Sequence, residues 1–137
     1  MTYGYEHIER GGGECVPVVP REDLLRVEVR ESRAGVLVLA PVGEVDVSTA
    51  DLLRAAARAA ISVAPRCLVI DLAGLTFCGS TGLVVLMDAR RDAEAAGVRF
   101  GTASGPPIVR RVLEITQLGP VLHHCETVDE ALHELNA

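Results

Sequence analysis

The chain changes its hydrophobic rhythm part way along. Leu25-Arg26-Val27-Glu28-Val29 alternates apolar and polar residues, the period of a half-buried strand. Ser32-Arg33-Ala34-Gly35 reads as a turn into Val36-Leu37-Val38-Leu39-Ala40, a second strand and the antiparallel partner of the first. From there helical periods and short apolar runs take turns. Ser48-Thr49-Ala50-Asp51 matches a capping box and predicts a helix with Leu52, Ala56, Ala60 and Val63 on one face. The apolar run Cys67-Leu68-Val69-Ile70-Asp71-Leu72 predicts a buried strand. Leu83, Leu86, Met87, Arg90 and Ala93 recur at helical spacing, which predicts a helix over about 81–96 with Gly97 as its stop. Val98-Arg99-Phe100-Gly101-Thr102 is the next predicted strand. Ser104-Gly105-Pro106-Pro107 then starts a helix through Ile108, Val109, Val112 and Leu113, with proline suited to its first turn. Gly119-Pro120 ends that segment, and Val121-Leu122-His123 is read as a final short strand. A second capping box, Thr127-Val128-Asp129-Glu130, opens a last helix with Ala131, Leu132 and Leu135 inward.

This order predicts an α/β single domain over residues 23–137: a mostly parallel sheet with an antiparallel edge strand and about four helices. Loops at the carboxyl ends of parallel strands share one end of such a sheet, where ligands bind. Those loops are Gly43-Glu44-Val45-Asp46, Thr76 through Thr81 and Thr102 through Pro107, so Asp46, Ser80 and Ser104 are expected to converge. Residues 1–22 differ. Gly11, Gly12, Gly13, Pro17 and Pro20 break any period there, which predicts a mobile N-terminal tail ahead of the domain.

Composition narrows the function classes. With 137 residues, 49% hydrophobic and only 3% aromatic, the core must be aliphatic. The net charge is −6 and every one of the 13 basic residues is Arg, which argues against non-specific nucleic-acid binding and for a protein partner of complementary charge. Cys15, Cys67, Cys78 and Cys125 are widely spaced with no Cys-x-x-Cys pair. There is no signal-peptide pattern and no apolar run approaching ~18 residues. The expectation is a cytoplasmic protein with reduced thiols and no membrane partner.

The segment Cys78-Gly79-Ser80-Thr81-Gly82 carries the sharpest chemical signal. It puts Ser80 at the mouth of a helix, where unpaired N–H groups favour an oxygen acceptor or an anion. The hydroxyl there can be a cap, a nucleophile or a place for a phosphate. As a nucleophile it nearly matches Gly-x-Ser-x-Gly, with Asp88, Asp92 or Asp129 and His123, His124 or His133 following in hydrolase order. Cys78 replaces the first glycine, however, and no glycine-rich oxyanion loop precedes the serine. A small serine hydrolase is therefore the weakest of the functional readings. Phosphate-binding Gly-rich motifs are absent, and Glu44 and Asp46 would repel a nucleotide, so no cofactor is expected. His123-His124-Cys125 point alternately if extended and cannot easily share one metal ion; no metal is expected.

Taken together, Gly43-Glu44-Val45-Asp46, Leu68-Val69-Ile70-Asp71-Leu72, Leu75-Thr76-Phe77, Ser80-Thr81-Gly82-Leu83 and Pro107-x-x-Arg110-x-x-Leu113 before Leu118-Gly119 resemble the STAS domain, in its bacterial anti-sigma factor antagonist branch. The resemblance spans about residues 24–135. It implies a regulatory domain that is not an enzyme. Such a domain binds an anti-sigma factor that is also a GHKL-type serine kinase, and so frees a sigma factor. Phosphorylation by that kinase breaks the complex and a phosphatase restores it. The resemblance places the phosphorylated hydroxyl on Ser80. It places the partner-binding surface on Asp46 with Glu44, Gly79, Thr81 and Gly82. Gly79 stands where the family usually has Asp, and Val84 where many relatives have Gly. The alternative implied by Gly79 is a STAS scaffold or sensor-complex subunit that is never phosphorylated.

Overall fold

A computed structural model describes residues 6–10, 14–18 and 24–137. Strands β1 (Glu6–Arg10) and β2 (Glu14–Val18) pair antiparallel as a two-stranded sheet of their own. They fall within the stretch expected to be a mobile tail over residues 1–22. The rest of that stretch lies outside the described residues.

The predicted hairpin is formed by β3 (Leu25–Arg33) and β4 (Val36–Val45), paired antiparallel from Leu25 opposite Gly43 onward. Helix α1 (Ala50–Ser62) follows, then β5 (Cys67–Asp71) and β6 (Leu75–Cys78). β4 is long enough to hold both on its other flank. Its first half, Val36–Leu39, pairs in parallel with β5, and Gly43 to Val45 pair in parallel with β6. Helix α2 (Ser80–Ala95) leads into β7 (Arg99–Ala103), α3 (Pro107–Thr116), α4 (Leu118–Val121), β8 (His124–Cys125) and α5 (Val128–Glu134). In the main sheet the strands run β3-β4-β5-β7-β8, with β6 beside β4; within that sheet the β3–β4 pair is antiparallel and the others are parallel.

Alternation along the strands builds two apolar layers. Leu68 and Ile70 of β5 join Leu39, Leu53, Leu86 and Leu113 under α1, α2 and α3, while Cys67 and Val69 turn to the other face with Val36, Ala103, Ala131 and Leu132 under α5. The last helix starts as its capping box predicts, with Thr127 Oγ1 accepting from the Glu130 N–H at 3.0 Å.

Three elements depart from the sequence reading. Residues 75–78, expected within a loop, form β6. Asp71 Oδ1 accepts from the Ala73 N–H and the Leu75 N–H bonds back to the Leu72 carbonyl, so the chain turns within three residues and rejoins β4. The expected strand at Val121-Leu122-His123 is instead the end of a one-turn helix, α4, which raises the helix number from four to five. Gln117 closes α3 in the left-handed conformation at φ 60°. Pro120 then sits within the first turn of α4, where a missing N–H costs nothing. The final strand is only His124–Cys125.

Candidate functional site

The end of the sheet where β4 and β6 stop side by side carries the singled-out residues. Val45 lies opposite Cys78, and the Val45 carbonyl accepts from the Gly79 N–H at 3.0 Å. Asp46 and Ser80 are the next residues along each chain, so the structure brings these two loops together. Ser104 is set back. It follows Ala103, which pairs with Asp71 at about the level of Ala40, short of Val45 by about 16 Å of extended strand. The expected three-way convergence is thus a convergence of Asp46 and Ser80.

Glycines shape this corner. Gly43 has φ +124°, and a Cβ there would collide with the Leu24 carbonyl oxygen. That close crossing lets the Glu44 N–H bond Leu24 while the Gly43 N–H bonds Gly74 on the other flank. Gly82 has a different reason. A Cβ on it would meet Cys78 Sγ at 2.6 Å and Val45 Cγ1 at 2.8 Å, so only glycine lets α2 begin this close to the strand ends.

Asp46 is held by its own loop. Its Oδ1 accepts from the Ser48 N–H at 2.8 Å and from the Ser48 hydroxyl at 2.7 Å, an Asx turn. Thr49 is fully buried; its hydroxyl donates to the Glu44 carbonyl at 2.7 Å and accepts from the Asp46 N–H at 2.9 Å. The expected capping box therefore does not form. Thr49 is the N-cap residue of α1, but its hydroxyl is spent on Glu44 and Asp46, and that of Ser48 on Asp46. The Ser48 hydroxyl foremost, with its N–H, holds the Asp46 carboxyl below its ordinary value, so this end of the sheet keeps a negative charge. Glu44 is half-buried and stands opposite Phe77 on β6. Thr49 is the residue that sequence reasoning misplaced. The Asp-x-Ser-Thr spacing, an Asx-turn signature, was the signal for its true partners.

Ser80 is the first residue of α2, and Gly79 is its N-cap in an extended conformation at φ −82°, ψ −176°. Ser80 is exposed, and among the described residues its hydroxyl has no hydrogen-bond partner. Of the three roles open to it from the sequence, capping is not the one it performs. Its backbone is not in the strained left-handed region that a nucleophile elbow uses. Among the described residues, the histidines that follow it in the chain lie elsewhere, His133 on α5. His123 bonds the Phe100 carbonyl and His124 bonds Thr102, at the β7–β8 side of the sheet. Asp88 pairs with Arg91 and Arg54. Thr81 is half-buried behind Ser80.

The surroundings of Ser80 are apolar and open. Val84 and Met87 follow on the same face of α2 and are 50% and 41% exposed. Phe77, whose ring edge comes within 3.3 Å of where a Gly79 Cβ would lie, and Val47, beside Asp46, are exposed as well. Cys78, just before this loop, is buried and its thiol is pushed up to about 11 by burial, which makes it a packing residue. Cys67, Cys78 and Cys125 are free thiols. Among the described residues no group of His, Cys, Asp and Glu could hold a metal ion, and no helix is long and apolar enough to cross a membrane.

Known proteins are similar to this chain in sequence and fold. The anti-sigma-F factor antagonist RsfB of Mycobacterium tuberculosis is 34% identical over 98 residues, covering 72% of this chain and 80% of that protein. The crystal structure of an anti-sigma factor antagonist from Mycobacterium paratuberculosis matches with a TM-score of 0.76 at 29% identity, over 87% of this chain and 100% of the other. The anti-sigma factor antagonist SpoIIAA in its unphosphorylated form shares the fold at a TM-score of 0.67 and 24% identity, over 81% and 96% of the two chains. The STAS domain family model matches residues 26–131, from the first strand of the main sheet into the last helix, and the chain belongs to the STAS domain family.

Proposed function

We propose that this protein is an anti-sigma factor antagonist, a regulator and not an enzyme, whose partner is an anti-sigma factor that also acts as a GHKL-type serine kinase. The partner docks on the start of α2 and releases its sigma factor. Phosphorylation of Ser80 by that kinase ends the complex, and a phosphatase restores it. The observation that carries this reading is the exposed Ser80 hydroxyl, unpartnered among the described residues, at the first position of α2, next to the Asp46 loop and in line with exposed Val84 and Met87. The names of the similar antagonists support the partner class.

The physical basis of the switch is local. A phosphoserine adds a charge of about −1.5 to −2. At a helix N-terminus the protein itself tolerates that charge. A docked partner must desolvate it beside the ionised Asp46, on a surface otherwise suited to apolar contact. A penalty of about 2–4 kcal/mol weakens binding by roughly 30- to 1000-fold. No refolding is needed. The reading rests on the charge entering the contact area, so mass spectrometry of the protein from growing and from stressed cells is the first test. Phosphate on Ser80 in one condition is the expected result.

Gly79 favours a second reading, a STAS scaffold in a larger assembly that is never phosphorylated, because it removes the carboxylate that the family's kinases usually meet. Purification of a large STAS-only assembly, with no phosphate on Ser80 in any condition, would select that reading.

A further inference from the structure

β3 is an edge strand whose outer flank is unpaired among the described residues. The hydrogen-bond parity on that edge can be read from its neighbours. The Leu24 carbonyl accepts from the Glu44 N–H, while Val27 lies opposite Pro41, which has no N–H to give. Even-numbered residues of β3 therefore bond β4, and Leu25, Val27 and Val29 turn their N–H and C=O groups outward. Their side chains lie on the α1 side of the sheet. There, with Leu37, Leu52 and Val63, they line an open apolar groove of about 640 Å³. Val29 is 55% exposed and Val63 69%. On the opposite side of the strand the residues alternate in charge: Arg26, Glu28, Arg30. Arg26 and Glu28 are exposed and already pair at 3.0 Å.

We propose that this edge is a self-association surface, on which a second copy of the chain adds its own β3 antiparallel about a two-fold axis through Val27. The charges and the apolar face together select the register: an axis at Val29 would also pair Glu28 with the partner's Arg30, but it would set Val27 against the partner's Glu31. With the axis at Val27, Arg26 faces the partner's Glu28 on one side of the sheet. On the other side Leu25 faces the partner's Val29, and Val27 faces the partner's Val27. The outward N–H and C=O groups of Leu25, Val27 and Val29 then all find partners, and the apolar groove is continued across the seam. An axis at Glu28 would oppose Glu28 to the partner's Glu28 and Arg26 to the partner's Arg30, which is unfavourable on both counts. Isologous pairing of this kind is self-complementary by construction. It also covers the flat edge that a sheet must otherwise protect. The seam lies on the opposite flank of β4 from β6, so it is separate from the Asp46–Ser80 corner and does not depend on the proposed switch.

The test is sedimentation equilibrium of the full chain over a concentration series. The expected result is a reversible monomer–dimer equilibrium. Arg26→Glu, which opposes two acidic pairs across the seam, weakens it by roughly tenfold or more. The double variant Arg26→Glu with Glu28→Arg restores it by re-forming the pair with signs exchanged. Both side chains are exposed, and unchanged thermal melts will show that the fold is intact. A chain that stays monomeric throughout the series, or a double variant that is as weak as Arg26→Glu, overturns the proposal.

Discussion

Gly79→Asp is the change whose outcome follows most fully from the structure. Gly79 caps α2 with backbone alone. Its φ of −82° and ψ of −176° are open to any residue, so Asp meets no conformational penalty. Three terms favour the variant. An Asp N-cap exceeds Gly by a few tenths of a kcal/mol, because its carboxylate accepts from the free N–H groups of the first turn. Its charge at the helix N-terminus adds about 0.3–1 kcal/mol. Replacing glycine removes unfolded-state freedom, about another 0.4–1 kcal/mol. Against these stand the Phe77 ring edge, 3.3 Å from the new Cβ, and the neighbouring Asp46 charge. Phe77 is 43% exposed and can give way, and the repulsion between two surface carboxylates is screened by water. The net expectation is a gain of about 1 kcal/mol, seen as a rise in Tm of about 3–6 °C in scanning calorimetry and a matching rise in the urea midpoint. On the proposed reading, the same protein should be phosphorylated faster at Ser80 in single-turnover assays with the proposed kinase, since a carboxylate then stands beside the serine. A fall in Tm would refute the account of Gly79 as an unstrained N-cap.

Three further outcomes follow. Thr49→Val leaves the Glu44 carbonyl and the Asp46 N–H without their buried partner, so it should cost about 1–3 kcal/mol by urea denaturation and weaken partner binding, while Thr49→Ser stays close to wild type in both. Gly82→Ala drives a Cβ into Val45 and Cys78 and should cost about 1–3 kcal/mol in spite of alanine's better helix propensity; an unchanged Tm would contradict the tight seating of α2. Burial foremost, helped by Arg110 and partly offset by the Ser104 carbonyl, lowers the pKa of His124 below its ordinary 6.5. Its contribution to stability is then complete above pH 6.5 and is lost as pH falls through the lowered folded value, because the unfolded state takes up the proton first. His124→Asn should flatten the decline of Tm as pH falls below the ordinary histidine value of about 6.5.

Much of this architecture is legible in the chain because local and long-range signals agree. The alternation at 25–29, the apolar run at 67–72 and the helical stripe from Leu83 each name an element that the structure contains. The parallel order points Asp46 and Ser80 to the same end of the sheet, but it is the pairing of β6 with β4, Val45 opposite Cys78, that brings them side by side. What could not be read is where two signals compete for one group. Thr49 fits a capping box in sequence, but in the fold its hydroxyl is drawn to the Glu44 carbonyl, a partner set by how β4 ends. β6 was hidden because four residues give too short a pattern; it exists only through its pairing with β4. The Gly119-Pro120 pair reads as a break, yet it lies in a single helical turn, where neither residue is penalised as it would be in a helix interior. The need for glycine at position 82 depends on a contact with Val45, far away in sequence, and no local pattern announces it.

The central claim is that a charge placed on Ser80 turns partner binding off without altering the fold. Isothermal titration of the cognate anti-sigma factor with wild-type protein, with Ser80→Ala and with protein phosphorylated stoichiometrically at Ser80 tests it most directly. The account predicts equal affinity for the first two and a loss of roughly 30- to 1000-fold for the third, with the melting curves of all three closely alike. Equal affinity for the phosphorylated and unphosphorylated forms would contradict it.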